Sequence, residues 1–135
     1  MRIVFGVFLV LAVVLAVASV ASRGGGRRVA LVIGNGEYVD APLKNPVNDA
    51  VDMAAALREV GFEVILETDV DHRTMREAVN RFGKELRTAD VGLFYFAGHG
   101  MQIQGRNYLI PLLATVASES DVRFEAVDAG RVQGK

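Results

Sequence analysis

The feature that most constrains the fold is an alternation of strand-like and helix-like segments between residues 28 and 97. Three apolar runs, VALVIG (29–34), FEVILE (62–67) and VGLFYFA (91–97), are separated by two segments with helical spacing. Short links between strand, helix and strand require right-handed crossovers, which produce a parallel sheet covered on both faces. The sequence therefore predicts an α/β fold with a buried sheet.

Two amphipathic helices are predicted between these strands. The first begins near Asn45 and Pro46, a capping residue and a proline suited to the first turn, and Gly61 ends it. The second is capped by Asp71 or Thr74. The two apolar stripes are Val47, Ala50, Val51, Ala54 and Leu57 in the first helix, and Met75, Ala78, Val79, Phe82 and Leu86 in the second. Residues 101–112 predict a hairpin around Gln104 and Gly105, and the pattern fades after Ala114.

The amino-terminal segment predicts export. Residues 3–21 carry no charge, follow Arg2 and end in small residues, as in a secretory signal peptide. The Ser19-x-Ala21 pattern favours cleavage after Ala21 over retention as a membrane anchor, although about 20 apolar residues suffice to span a bilayer. Residues 22–28, SRGGGRR, are expected to be a flexible basic linker, and residues 29–135 the folded part. That part is expected to be periplasmic or secreted, or anchored and facing outside.

The composition excludes several classes of function. A net charge of −1 does not favour a nucleic-acid partner, and the absence of cysteine excludes a disulfide framework. The segment GNGEYV (34–39) has Val39 where a dinucleotide-binding loop needs its third glycine. His72 and His99 lack the spacing of metal ligands, and His72 is expected on the surface. We expect no cofactor and no metal, and no residue pattern bears on a calcium requirement.

His99 is the candidate for chemistry. It lies between Gly98 and Gly100 in the segment FYFAGHG (94–100), just after the third apolar run. Ligands of parallel α/β sheets bind beyond the carboxyl ends of the strands. Flanking glycines allow close backbone approach, and an imidazole can accept a proton near neutral pH. A purely structural histidine is the alternative from position alone.

Four blocks in order carry a family resemblance: VALVIGN, LKNPVNDAVDMAAALREVGFEV, FYFAGHG and GRNYLIPL. Together they resemble the caspase-like cysteine peptidases, in particular the bacterial type of the metacaspase and paracaspase branch, over about residues 28–112. The resemblance implies a caspase-like three-layer sandwich with a mostly parallel sheet. It also implies endopeptidase activity on peptide or protein substrates.

The resemblance assigns three site residues. His99 would be the general base of a Cys-His dyad, and the backbone N–H of Gly100 would bind the oxyanion. Asp49 would line the pocket for the residue before the scissile bond and select arginine or lysine. A favourable position of Asp49 in the first turn of a helix is the alternative.

The nucleophile departs from the family pattern. In caspases it lies about 50 residues after the histidine, and this sequence ends at Lys135 without a cysteine. Ser118 and Ser120 lie in a stretch expected to be irregular and acidic, so neither is a plausible replacement. We therefore expect a caspase-like domain incomplete at its carboxyl side, truncated before the cysteine and inactive alone.

Two further expectations follow from this interpretation. The sheet should have an unpaired edge and an uncovered apolar face at residues 91–97, which would favour association with another chain. The alternative function is a non-catalytic pseudopeptidase, exported or tethered to a membrane, that serves as a scaffold for protein contacts. A flavodoxin-like signalling domain would explain the alternation but not the AGHG segment.

Overall fold

The structure, a computed structural model, describes residues 15–18, 26–39, 41–114 and 118–133. The predicted export segment lies outside these residues except for positions 15–18, and residues 22–25 of the predicted linker also lie outside them. No helix among the described residues is long and apolar enough to cross a membrane.

The main sheet confirms the predicted alternation. Its strands are β1 (Leu15–Ala18), β2 (Arg28–Gly34), β3 (Phe62–Thr68) and β4 (Val91–Ala97), in the order β1-β4-β2-β3 within the described residues. Strands β3 and β4 both pair in parallel with β2. Helix α1 (Pro46–Glu59) connects β2 to β3, and α2 (His72–Leu86) connects β3 to β4. The result is the α/β architecture expected of a caspase-like fold.

The two faces of the sheet bury alternate residues of each strand. On one face, α1 packs with a cluster of small and aromatic side chains: Ala30, Val32, Ala50, Ala54, Leu57, Tyr95 and Ala97. On the other face, α2 and the carboxyl-terminal segment pack on larger side chains that include Leu31, Ile33, Met75, Phe82, Phe94 and Phe96. Because both faces are covered, β2 and β4 are nearly continuous apolar runs rather than alternating ones, whereas the edge strand β3 is only partly buried.

Helix α1 has a narrower buried stripe than the sequence predicts. Its buried residues are Pro46, Ala50, Ala54 and Leu57, whereas Val51 is 45% exposed. The buried set repeats every three to four residues, and Val51 lies about 100° away from Ala50 around the helix axis. The predicted Asn45 occupies the N-cap position without a side-chain capping bond, and Gly61 follows the helix with a φ of 90°. That positive φ is the conformation in which glycine ends helices most easily.

Helix α2 is capped by Asp71, one of the two predicted candidates. The Asp71 carboxylate accepts a hydrogen bond of 2.9 Å from the backbone N–H of Thr74. This bond lowers the pKa of Asp71, because it stabilises the ionised form. The helix begins at His72, so Thr74 lies inside it rather than at its cap.

The Asp71 cap predicts a pH dependence of stability. Asp71→Asn keeps a capping oxygen but removes the charge. Because the folded-state pKa of Asp71 lies below its unfolded value, its contribution is present above the unfolded pKa and is lost as pH falls through the folded pKa. We expect wild type to exceed Asp71→Asn in free energy of unfolding near pH 6, with the difference shrinking from about pH 5 downward. Urea denaturation at several pH values measures this, and a difference independent of pH contradicts it.

The carboxyl-terminal segment is more ordered than predicted. Helix α3 (Glu119–Glu125) is followed by strand β7 (Val127–Asp128) and a 3-10 helix (Ala129–Gln133). Ser118 caps α3 through a reciprocal capping box with Asp121, so the expected irregular stretch is a helix start. Strand β7 pairs with β6 (Arg106–Leu109), which forms the predicted hairpin with β5 (Gly100–Ile103). The hairpin turns at Gln104 and Gly105, both with positive φ.

The expected uncovered face and unpaired edge of β4 are not what the structure shows. Phe94, Tyr95, Phe96 and Ala97 are all buried, because α1 covers one face while α2 and residues 127–132 help to cover the other. Strand β1 pairs antiparallel with β4 over residues 91–94, so this part of the edge is occupied. The prediction of an unpaired edge is therefore wrong over those four residues.

The end of the predicted flexible linker belongs to the fold. Arg27 donates hydrogen bonds to Glu63, Glu85 and Thr88, and its backbone N–H donates to Asp90 at 2.8 Å. These bonds join the residue before β2 to β3, to the last turn of α2 and to the segment after α2. Hydrogen bonds to Glu85 and Glu63 raise the pKa of Arg27. The ordered domain therefore begins before Arg28.

Candidate functional site

The carboxyl ends of the three parallel strands meet at one edge of the sheet. Gly34 of β2 lies opposite Thr68 of β3 and Ala97 of β4. The chain leaves each strand there and enters a loop. This is the edge at which open α/β sheets bind their ligands, and His99 lies two residues beyond β4.

Two side chains form hydrogen bonds that connect the loop after β2 with the loop after β3. Asn35 is fully buried, accepts a hydrogen bond from Val70 N at 3.0 Å and donates one to Val70 O at 3.3 Å. Asp69 accepts hydrogen bonds from the backbone N–H groups of Gly36 at 2.9 Å and Glu37 at 3.1 Å. Residues 35–37, at the start of the loop after β2, are therefore held at the edge of the sheet.

The segment Ile110 to Leu112, after β6, crosses the same edge and is called the strap below. Ile110 N donates to His99 O at 3.0 Å, and Leu112 N donates to Val70 O at 2.9 Å. Leu112 also forms an isolated parallel bridge with Asp71. The strap thus connects the residue after β4 with the loop after β3.

The His99 ring is oriented by a backbone carbonyl. Its Nε2 atom lies 2.6 Å from Ala41 O in the loop after β2. A carbonyl oxygen can only accept, so Nε2 must carry the proton in this bond. In the neutral ring the basic lone pair is then on Nδ1. The loop therefore selects one tautomer of a half-buried histidine.

Tyr38 contacts His99 in two ways. Its ring lies against the imidazole, with centroids 4.3 Å apart and planes inclined by 56°. Its hydroxyl accepts a hydrogen bond from His99 N at 3.1 Å and donates one to Ile110 O at 2.6 Å. Burial raises the pKa of the Tyr38 phenol well above its usual range, so the hydroxyl stays protonated and able to donate.

Gly98 makes this arrangement sterically feasible. A Cβ atom at position 98 would lie 2.8 Å from the Tyr38 hydroxyl and 2.7 Å from the Phe96 ring. Both distances are shorter than ordinary carbon contacts. The glycine before His99 is therefore explained by the close approach of the tyrosine.

Gly100 begins β5, and the hairpin pattern determines which way its backbone faces. The bond from Ile110 N to His99 O makes these two residues a hydrogen-bonded position, and Gly100 lies opposite Leu109 at the next position. Hydrogen-bonded and non-hydrogen-bonded pairs alternate in antiparallel ladders. The Gly100 N–H is thus directed away from β6, on the residue next to the imidazole.

Asp49 lies in the first turn of α1 and is exposed. Burial and, after it, the negative charge of Asp49 raise the pKa of Tyr95. Tyr95 is on β4, four residues before His99, and packs in the cluster under α1. Asp49 is therefore on the α1 side of the sheet, near the strand that carries the histidine.

The other sequence candidates are placed elsewhere. His72 is the first residue of α2 and is half-buried rather than fully exposed. Ser118 caps α3. In the described part of the chain, no group of three or more His, Cys, Asp or Glu side chains could hold a metal ion.

Sequence reasoning missed Tyr38, which contacts the histidine, and the two residues that hold the neighbouring loops. Asn35, Tyr38 and Asp69 all follow strand ends, and the pattern GNGEYV that contains the first two only argues against a dinucleotide site. Polar residues directly after two buried parallel strands are a usable signal, because such residues converge at one sheet edge. Nothing in the spacing of Tyr38 predicts its contact with a residue 61 positions away.

Comparison with known proteins gives a consistent result. The family model for the caspase domain matches residues 27–129. Mucosa-associated lymphoid tissue lymphoma translocation protein 1 of Homo sapiens is 37% identical over 86 residues, and its homolog from Mus musculus is 36% identical over 86 residues. Each alignment covers 63% of this chain but 10% of the relative. The resemblance stated from the sequence is confirmed, and the chain spans about a tenth of the curated relatives that it matches.

Proposed function

The chain belongs to the caspase domain family, and from that premise we propose that it forms the histidine-bearing part of a cysteine-type endopeptidase site. In this proposal His99 is the general base, the Gly100 N–H is an oxyanion donor and Asp49 recognises a basic substrate residue. The observation that carries it is the bond between His99 Nε2 and Ala41 O, because it fixes the tautomer of a histidine at the ligand-binding edge of the sheet.

The fixed tautomer suits the chemistry of a base. With Nε2 protonated, Nδ1 can accept the proton of a thiol as the sulfur attacks the peptide carbonyl. The proton then passes from the imidazolium to the leaving amine as the carbon–nitrogen bond breaks. Because the ring is already held by Ala41, no reorientation is needed during the reaction.

The Gly100 N–H supports the oxyanion role through its direction. It lies in the residue next to His99 and faces away from the hairpin partner strand. A donor placed near the base can stabilise the negative oxygen that develops as the thiol adds to the carbonyl.

The covalent step needs a thiol, and these 135 residues contain no cysteine. In our proposal the nucleophile is therefore contributed from outside them, and the chain alone does not form an acyl-enzyme. Ser118 is unsuitable as a replacement, since its side chain is engaged in the capping box of α3.

Asp49 supplies a site for an arginine or lysine side chain. Its carboxylate is exposed at the first turn of α1, and its charge acts on Tyr95 of the strand that leads to His99. A guanidinium group can bind a carboxylate through charge-assisted, bidentate hydrogen bonds. Binding of a basic side chain can be tested without turnover, so the absent thiol does not prevent the experiment.

The test is an NMR titration of the full chain with a short amidated peptide ending in arginine. We expect shifts at Asp49 and Tyr95, and at least ~10-fold weaker binding to Asp49→Asn, because a hydrogen bond to a charged group contributes about 1.5–3 kcal/mol. The matched peptide contains citrulline, which keeps the shape of arginine but lacks its charge. We expect it to bind wild type as weakly as the arginine peptide binds Asp49→Asn.

Asp52→Asn is the control variant. Asp52 is also exposed and lies one turn further along α1, so its loss changes the net charge by the same amount. Equal weakening by Asp49→Asn and Asp52→Asn would indicate general electrostatics and contradict a pocket at Asp49. Equal affinities of wild type for the citrulline and arginine peptides would contradict recognition of the positive charge.

A non-catalytic scaffold is the second candidate, and the absence of cysteine in this sequence favours it. Such a domain has no chemical need to bind arginine at Asp49 or to hold His99 in one tautomer. Failure of the arginine peptide to bind at the carboxyl edge would therefore favour the scaffold over the peptidase site.

A further inference from the structure

We propose that Tyr38 is a positioning residue that holds His99, through its hydroxyl and its ring, in the orientation that donates Nε2–H to Ala41. This inference rests on the proposed role of His99 as a base. It adds a residue to the site for which neither the sequence pattern nor the family match gives a role.

The hydroxyl of Tyr38 adds a side-chain link between His99 and the strap, which are already joined by the bond from Ile110 N to His99 O. It accepts from His99 N at 3.1 Å and donates to Ile110 O at 2.6 Å. A hydroxyl has one proton and two lone pairs, so both bonds can form together. The backbone of His99 is thereby attached to the strap and to the loop after β2 at one atom.

The ring of Tyr38 restricts the imidazole from one side. The centroids are 4.3 Å apart and the planes are inclined by 56°, a tilted aromatic contact. Ala41, three residues after Tyr38 in the same loop, binds Nε2. One loop therefore supplies both the contact that limits ring rotation and the acceptor that selects the tautomer.

The residues directly before Tyr38 are themselves held in place. Asp69 binds the backbone N–H groups of Gly36 and Glu37, directly before Tyr38. Leu43 N donates to Gly36 O at 2.8 Å, which closes the loop beyond Ala41. Because bonds hold the loop before Tyr38 and after Ala41, a change at Tyr38 is expected to change the orientation of the imidazole.

Gly98 provides the space that the contact needs. Any side chain at position 98 would meet the Tyr38 hydroxyl at 2.8 Å. The Tyr38 hydroxyl therefore occupies the space that a side chain at position 98 would need. From there it accepts the hydrogen bond of the His99 N–H.

The test is the imidazole tautomer of His99, read from its ¹⁵N chemical shifts in the full chain at a pH where both histidines are neutral. The chain has two histidines, so His72 is an internal reference and His72→Gln assigns the signals. In wild type we expect a single Nε2–H form of His99 and a nuclear Overhauser contact between the two rings. In Tyr38→Phe we expect the His99 shifts to move toward the mixed tautomers of free histidine.

Tyr108→Phe is the matched control, because Tyr108 is also buried but packs in a different cluster. It is expected to leave the His99 signals unchanged. A wild-type His99 without a dominant Nε2–H form would overturn the proposal, as would a Tyr38→Phe spectrum identical to that of wild type. If Tyr38→Phe does not fold, the wild-type tautomer and ring contact decide the matter.

This readout is independent of substrate. A fixed tautomer that depends on Tyr38 can be present even if the arginine peptide does not bind, and the peptide can bind even if Tyr38 has no effect on the ring. The two proposals can therefore fail separately.

Discussion

Replacing Phe94 by alanine is expected to lower the free energy of unfolding by about 3–5 kcal/mol. Phe94 is fully buried in the middle of β4, between β2 and β1 in the sheet. Its cluster includes side chains from β2, α2 and the carboxyl-terminal segment. Truncation removes apolar contact with all of these layers and leaves a cavity that a sheet strand cannot readily close.

Urea denaturation followed by circular dichroism measures this effect. Phe124→Ala is the matched control, because Phe124 is 81% exposed on α3 and the chemical change is the same. We expect the control to change the free energy of unfolding by no more than about 0.5 kcal/mol. Should the alanine variant not fold at all, Phe94→Leu gives a smaller loss on the same scale. Equal stabilities of the Phe94 and Phe124 variants would contradict the assigned core.

Gly34→Ala is expected to destabilise the domain by about 1–3 kcal/mol or more, because it overpacks the contact between β2 and α1. A Cβ atom at position 34 would lie 2.3 Å from the backbone oxygen of Pro46 and 2.6 Å from the Ala50 Cβ. Both obstacles are rigid, since one is backbone and the other has no rotatable side chain. The start of α1 would have to move away from the edge of the sheet.

Gly83→Ala is the matched control for this prediction. Gly83 lies inside α2, and a Cβ atom there meets nothing within 4 Å. Alanine is favoured over glycine in a helix interior, so we expect a gain of about 0.5–1 kcal/mol. The same substitution is thus expected to have opposite signs at the two positions in urea denaturation. A loss at Gly83, or no loss at Gly34, would contradict the packing described.

Most of the sheet and both long helices could be predicted from the sequence because their residues follow simple periods. Strands β2 and β4 are buried on both faces, so each is an almost continuous apolar run, whereas the edge strand β3 is only partly buried and carries two glutamates. The buried stripe of α2 was likewise predicted, with Leu86 at its partly buried end. The error at Val51 has a geometric cause, because α1 approaches the sheet through alanines and buries only a narrow stripe.

Short or aperiodic elements escaped prediction. Helix α3 has seven residues, too few to show a period, although the Ser118-x-x-Asp121 pattern is a capping signal that could have revealed it. Strand β1 occupies part of the edge of β4, although its apolar sequence is equally typical of an export segment. The local sequence of an apolar segment does not predict which distant strand it will pair with.

The position of His99 at the edge of the sheet could be predicted from the sequence, but the contacts of the candidate site could not. The rule that ligands bind beyond the carboxyl ends of parallel strands places His99 correctly at that edge. The contacts that orient the ring come from Tyr38 and Ala41, which lie in a loop without periodic pattern. Such contacts depend on the tertiary fold, so no pattern in a single sequence predicts them.

The bonds of the Tyr38 hydroxyl have a consequence for the order of folding. They connect residues separated by 61 and 72 positions, and the bond from the imidazole to Ala41 spans 58. Contacts between remote parts of a chain require large loops to close and therefore tend to form late. During synthesis the histidine cannot reach its final setting until Ile110 has been added, well after its own strand is made. The orientation of His99 is therefore acquired with the completed domain, and a partly folded chain would carry the imidazole without it.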